Sequence, residues 1–429
     1  NHPDLKDGMI PIYYNESTSN WYIADKTNII SQSKWYDYDE QKWANAVILK
    51  DSSKKIYDLT RNNDLNVNNI KVNNGNLITE DSYLNIGLSS YNYQNITNIL
   101  RVKFNDLSQD KIYLMSNANL SYYYDTINKK FNLSNDNNTV NSNSYNIEQN
   151  KWYLIGYSYD SQKVTFYING IKLGSFNLEG QINKSKSNFL VATDASTKNT
   201  SKLTIGDILI YNRILKDSEI SSNYKEDINI ISDGLICGYN EFTPMTLYEY
   251  YSNKDIGSAI NNNDISTYFV WIPRYKYRLW NVLGNDTDSY NAYQKGIDIV
   301  FENNKASTGE IICDNKECQV TEEDNNKYYT HPAFKELDDE LTGFWISKYE
   351  LTTDTSNCNE NIQSGCTTNN LSIESKEGNP SWRNNYLSNY YQALKNNGSN
   401  YQIIKNTEWG AIAYLSHSKY GICTNNTCN

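Results

Sequence analysis

Histidine, methionine and proline are scarce, with 3, 3 and 6 residues in a chain of 429. Imidazole chemistry is confined to His2, His331 and His417. His2 is terminal, the Thr-His331-Pro-Ala setting suits a loop hydrogen bond, and His417 falls where a helix is expected to end and a cation suits the helix dipole. No apolar run approaches the roughly 18 residues of a membrane-crossing helix. No Gly-x-Ser-x-Gly elbow is present to expose a serine nucleophile, and no glycine pattern is present to cradle a phosphate. The Asp-x-Asn-x-Asp-Gly loop of calcium sites is missing as well. There is no basic stripe. The densest cluster, Arg274, Lys276 and Arg278, alternates with Tyr275 and Tyr277 as on a strand. With Lys+Arg at 39 against Asp+Glu at 50, the net charge is -11. Such a chain is repelled by phosphate backbones and anionic lipid, so neither nucleic acid nor membrane insertion is expected. The chain opens at Asn1 without an apolar leader, and the expectation is that one was removed or lies outside this sequence.

What is abundant is aromatic area. A mean hydropathy of -0.73 alone would suit disorder, but 38 Tyr and 9 Trp supply buried surface and β propensity. A folded chain with a Tyr- and Asn-rich surface follows, of a length that suits two or three domains. Cysteine is absent before Cys237. Six of the seven form close pairs around turn-forming residues: Cys313 with Cys318, Cys358 with Cys366, and Cys423 with Cys428. Short disulfide loops fit this layout and imply an oxidising, extracellular setting. A metal site is the alternative, but zinc knuckles use tighter spacings, often with histidine, and no His stands beside a pair. Cys237, in Leu235-Ile236-Cys237, reads as a buried thiol.

Three strand-like runs open the chain: 9–14, 21–23 and 43–49. From about 51 to 225, alternating runs recur at the spacing of a sandwich or barrel. The strands 151–159, 163–168 and 171–176 form two hairpins, the second turned by Asn169-Gly170, where positive φ is tolerated. Residues 203–211 give another strand and 215–220 a short helix capped by Asp217 or Ser218. Ser134 to Ser144 reads as a loop. Beyond 240, strands are expected at 267–272 and 343–349 and helices at 388–394 and 407–416. In the last, Thr407 is the N-cap, and Trp409, Ala413 and Ser416 share a face with Ile412 beside them.

Residues Lys151 to Ile220 resemble the closing half of a laminin-G-like, concanavalin-A-like jelly roll. The pattern is Trp152 with Tyr157 and Asp160, then Phe166-Tyr167-Ile168-Asn169-Gly170, Ile205-Gly206-Asp207-Ile208, Tyr211-Asn212-Arg213-Ile214-Leu215 and Glu219-Ile220. The resemblance implies a two-sheet antiparallel sandwich that binds glycans or proteins, sometimes with calcium. The remainder resembles surface-protein modules of gut Firmicutes. It does so through Trp43-Ala44-Asn45-Ala46-Val47, Phe269-Val270-Trp271-Ile272-Pro273-Arg274, Thr330-His331-Pro332-Ala333-Phe334 and Gly343-Phe344-Trp345-Ile346-Ser347-Lys348. In those modules the first two stretches are nearly adjacent. The sandwich therefore reads as an insertion into a host domain, with 1–50 and 240–429 as host and 51–239 as insert (core 51–225). Phe344 to Thr352 and Thr407 to Tyr414 are in turn similar to the C-type-lectin fold of formylglycine-generating enzymes. The cysteines and metal residues of that chemistry have no counterpart here, so non-catalytic ligand display is implied. This α+β domain either continues past Asn429 or is a minimal form.

The expected class is mainly β and the expected role is a non-catalytic extracellular adhesin or display protein for glycan or protein ligands. Alternatives are a phage receptor-binding or virion-surface protein, a pilin-like filament subunit and a glycan-active enzyme. Candidate ligand-binding residues are Tyr122, Tyr123 and Tyr124, which cannot all face inward on a strand, and Tyr248, Tyr250 and Tyr251. No catalytic residue and no cofactor is expected. Asp207 is the one calcium candidate, against a carboxylate that holds a turn.

Overall fold

A computed structural model describes residues 2–27, 35–38, 40–50, 53–89, 94–136, 138–181, 186–222, 224, 230–278, 296–303, 305, 307, 313–314, 317–318, 327–336, 339–353, 372–383, 385–398, 401–424 and 427–428. The chain divides into two compact units, Asn1–Asp51 with Leu247–Asn429, and Ser52–Thr246. Both are built mainly from antiparallel strands.

In the first unit the opening strands Met9–Asn15, Asn20–Ile23 and Asn45–Leu49 share a five-stranded sheet with Ile265–Pro273 and Gly343–Ser347. Val47 lies opposite Tyr268, and Trp271 opposite Trp345. The tryptophans explain why so short an opening segment is held. Trp35 is fully buried, donates its indole N–H to the carbonyl of Asn45 at 2.6 Å and lies 6.0 Å from the Trp345 ring. Arg274, which alternates in sequence with Tyr275 and Tyr277, is fully buried. Glu302 and Glu340 enter the same interior to meet it.

The helix Asn406–Ser416 also departs from expectation. Lys405 is its N-cap rather than Thr407, with Glu408 accepting the Lys405 backbone N–H at 2.8 Å. Ala411 and Leu415 are buried while Trp409 is 65% exposed, so the buried face is not the one expected. Apolar residues ring this helix, and its register is set by contact with Tyr275, whose hydroxyl donates to the Ala411 carbonyl at 2.6 Å. His417 ends the helix as its C-cap. His331 is buried among Tyr275, Tyr277 and Tyr414, and its Nδ1 accepts the Ala333 N–H at 3.2 Å. Burial pushes its pKa down to about 4 from 6.5. The folded state thus prefers the neutral ring. Its contribution is complete above pH 6.5 and drains away as the pH falls to about 4, for a total of roughly 3 kcal/mol. Urea unfolding from pH 7 to 4 should show this loss, and His331→Asn, which keeps a capping acceptor, should lose less over the same range.

The second unit is a two-sheet sandwich. One sheet runs, in spatial order, 171–177, 163–168, 152–159, 96–104, 203–211, 76–79 and 71–73, with 235–239 also pairing 203–211. The other runs 139–141, 130–134, 121–125, 111–116, 189–191 and 84–86. The strand Thr139–Asn141 lies in the tract read from sequence as a loop. Asn169 (φ 49°) and Gly170 (φ 75°) make the expected turn. At Gly156 the neighbouring strand comes so close that a Cβ would lie 2.3 Å from the Asn98 carbonyl oxygen. The core between the sheets takes alternate side chains from both, among them Phe104, Leu114, Tyr122, Tyr124, Phe131, Tyr157 and Phe166. The outer face of the larger sheet buries Ile99, Leu154, Tyr167 and Leu209 together with Ile220 of the helix Asp217–Ser222. That helix is anchored by Glu219, which accepts the Lys216 N–H at 2.7 Å and pairs with Arg213, rather than by Asp217 or Ser218 as a cap.

Among the described residues the cysteines hold one disulfide, Cys423–Cys428, across a tight antiparallel pair. Cys313 lies opposite Cys318 in a second such backbone pair, and Cys358 and Cys366 fall outside the described residues. Cys237 is a buried free thiol, and burial pushes its pKa up. Non-reducing peptide mapping should recover the Cys423 and Cys428 peptides linked to each other and Cys237 as a free thiol.

Candidate functional site

The expected ligand-binding tyrosines separate by face. Tyr122 and Tyr124 point into the sandwich core at 1% and 2% exposure. They are withdrawn as ligand contacts, since no sugar or protein surface reaches a ring enclosed between two sheets. Tyr123 points the other way, as alternation requires. Tyr251 is also withdrawn. It is buried, donating its hydroxyl to Asp264 at 2.6 Å and accepting the Asn261 N–H at 3.1 Å. Tyr248 is exposed and Tyr250 half-buried beneath Lys254. Asp207 is buried against the Arg101 guanidinium, a partner that makes a poor neighbour for a calcium ion.

Around Tyr123 the smaller sheet assembles an outward row that the sequence reading missed. Tyr113 lies opposite Tyr123, Tyr123 opposite Asn132, and Asn132 opposite Asn141. Their neighbours Ile112, Leu114, Tyr122, Tyr124, Phe131 and Leu133 all turn into the core, which fixes the row on the other face. The two tyrosine rings lie 5.7 Å apart, and the Lys111 ammonium sits 4.9 Å above the Tyr123 ring. That flanking cover explains why Tyr123 is 8% exposed although it faces outward. Asn132 donates to the Lys130 carbonyl at 2.9 Å.

Asn132 is 4% exposed, so Lys111 and Tyr113 supply most of the accessible surface of this face around Tyr123. Among the described residues the hydroxyls of Tyr113 and Tyr123, the Oδ1 of Asn132 and the Lys111 ammonium have no hydrogen-bond or ion-pair partner. Desolvation, opposed by nearby Lys111, raises the Tyr113 pKa, so its hydroxyl stays protonated and able to donate at neutral pH. The face thus offers the half-buried Tyr113 ring and hydroxyl beside the exposed Lys111 ammonium, with Tyr123 and Asn132 buried next to them. The carboxylates bordering it are engaged. Asp125 accepts the Ile127 and Asn128 N–H groups and the Asn128 side chain. Asp194 closes its own loop through Ser196, Lys198 and Asn199. The signal in the sequence was the period-two pattern of 111–116 and 130–134, whose polar phase lands on one face only once the strand order is known.

Comparison with known proteins bears on the second unit. Residues 74–221 match the family model described as the concanavalin A-like lectin/glucanases superfamily. No curated protein matches the chain. Among solved structures, Trypanosoma rangeli sialidase is similar at 17% identity, over 44% of this chain and 33% of its own, with a TM-score of 0.34. A putative carbohydrate binding protein from Bacteroides ovatus matches at 12% identity, over 44% of this chain and 55% of its own, with a TM-score of 0.32. Domain 4 of the Geobacillus stearothermophilus arabinanase AbnA, determined in complex with arabinotriose, matches at 13% identity, over 41% of this chain and 100% of its own, with a TM-score of 0.34. This chain therefore spans about a third of the sialidase. No helix among the described residues is long and apolar enough to cross a membrane. Within the two-sheet sandwich of the second unit, residues 74–221 are thus similar to the concanavalin A-like lectin/glucanases superfamily.

Proposed function

We propose that the chain is a non-catalytic extracellular binding protein whose sandwich recognises glycans at the Tyr113–Tyr123–Asn132 face. The observation that carries this reading is the set of unpartnered polar groups on that face. These groups are free to exchange bound water for the hydroxyls of a sugar. Binding is favoured over hydrolysis because the bordering carboxylates Asp125 and Asp194 are tied into turns, whereas glycoside cleavage needs two opposed free ones. The superfamily match of residues 74–221 is consistent with a glycan ligand. An extracellular, cell- or virion-surface setting is supported by the Cys423–Cys428 disulfide. The first unit is proposed to be a C-type-lectin-like host, on the strength of its Phe344–Thr352 and Thr407–Tyr414 segments. A glycan array is the first test. Retention of a defined class of sugars without cleavage is expected, and turnover of any retained glycan would contradict the reading.

A further inference from the structure

The first unit contains a pocket of about 810 Å³, within the usual ~300–1,000 Å³ range of small-molecule sites. Its walls are drawn from segments spread between Thr267 and Glu408. The strand Gly343–Ser347 supplies Phe344 and Ile346, the helix Leu387–Asn397 supplies Leu387 and Tyr390, and residues 401–404 supply Tyr401 and Ile404. The helix is pinned by Tyr390, whose hydroxyl donates to the Trp382 carbonyl at 2.9 Å, with the two rings 4.9 Å apart. At the mouth, Leu387 is 69% and Ile404 40% exposed, so apolar surface faces water where a ligand would cover it.

The charges lining this pocket are unequally engaged. Glu350 accepts the Ser381 hydroxyl. Glu408 accepts the Lys405 N–H at 2.8 Å and the Gln402 amide at 3.0 Å. Arg383 also lines the pocket, is exposed, and has no ion-pair or hydrogen-bond partner among the described residues. Neutral donors leave both carboxylates charged, and Arg383 is the cation among the lining residues. A guanidinium is weakly hydrated and presents paired donors that fit a carboxylate or sulfonate. We propose that this pocket binds a small anionic amphiphile. The flat or aliphatic body lies against Phe344, Tyr390 and Leu387, and the anionic head is held by Arg383. The aliphatic share of the wall, Ile346, Leu387 and Ile404, favours such a body over a neutral sugar. The site is independent of the sandwich face and stands or falls without it.

Anilinonaphthalene sulfonate is the test probe, with uncharged phenylnaphthylamine as its control. At neutral pH the folded chain should bind the sulfonate at one site with enhanced emission. Arg383→Gln should weaken the sulfonate about tenfold and leave phenylnaphthylamine within about twofold, the difference expected for one charge-assisted contact. Leu387→Asp should weaken both probes at least tenfold. Both positions are exposed, so melting curves should stay unchanged. Equal sulfonate affinity in the wild type and Arg383→Gln would overturn the proposal. So would loss of the uncharged probe in Arg383→Gln, or indifference of both probes to Leu387→Asp.

Discussion

Replacing Arg274 with methionine is expected to destabilise the first unit by about 3–5 kcal/mol, the usual result of removing one partner from a buried ion pair. The side chain is fully buried, with Nε donating to Glu302 at 2.9 Å and Nη1 to Glu340 at 2.6 Å. Nη1 also reaches the carbonyls of Phe334 and Leu341 at 3.2 and 3.1 Å. One guanidinium therefore ties together residues 302, 334 and 340–341. Without it, the Glu302 carboxylate stays buried, with Thr330 donating to it at 3.0 and 3.1 Å. Adding Glu302→Gln and Glu340→Gln to Arg274→Met should recover part of the loss, since neutral amides cost less to bury. Urea unfolding measures both. A loss below about 1 kcal/mol for the single variant, the scale of a surface pair, would contradict the buried arrangement.

The second large effect lies in the sandwich. Tyr122→Ala should cost about 3–5 kcal/mol, the range for deleting a buried aromatic ring. The ring packs 4.9 Å from Tyr157, 6.0 Å from Phe131 and 6.3 Å from Phe166, linking both sheets. Its hydroxyl is buried and finds no partner among the described residues. Tyr122→Phe should therefore be neutral or stabilising by up to about 1 kcal/mol, because an unsatisfied polar atom leaves the core. Both variants should bind glycan as the wild type does if they remain folded. A ligand role for Tyr122 would reverse the pattern, with Tyr122→Phe stable but weak in binding.

How far the sequence revealed this structure depends on the scale of the signal. The hairpins through 177 were legible because strand alternation and the Asn169-Gly170 turn are local features. The statement that Tyr122, Tyr123 and Tyr124 could not share a face was correct for the same reason. Which of them mattered was hidden, because it depends on Tyr113 and Asn132 arriving from neighbouring strands. The burial of Arg274 was not legible, because its alternation with Tyr275 and Tyr277 gives no hint of carboxylates 28 and 66 residues away. In the helix Asn406–Ser416, small and apolar residues lie on every side, so sequence periodicity could not pick the buried face. The lining of the first unit's pocket is drawn from strand, helix and loop segments spread from Thr267 to Glu408, a convergence no local pattern announces.

The outward face of the smaller sheet is proposed as the place where a glycan sits. Calorimetric titration of the tightest array ligand into the wild type and Tyr113→Ala tests it directly. Tyr113 is half-buried and outside the core, so the variant should melt like the wild type and yet lose affinity at least about tenfold, the scale of one stacking contact. Unchanged affinity in a folded Tyr113→Ala chain would place the ligand elsewhere and contradict the account.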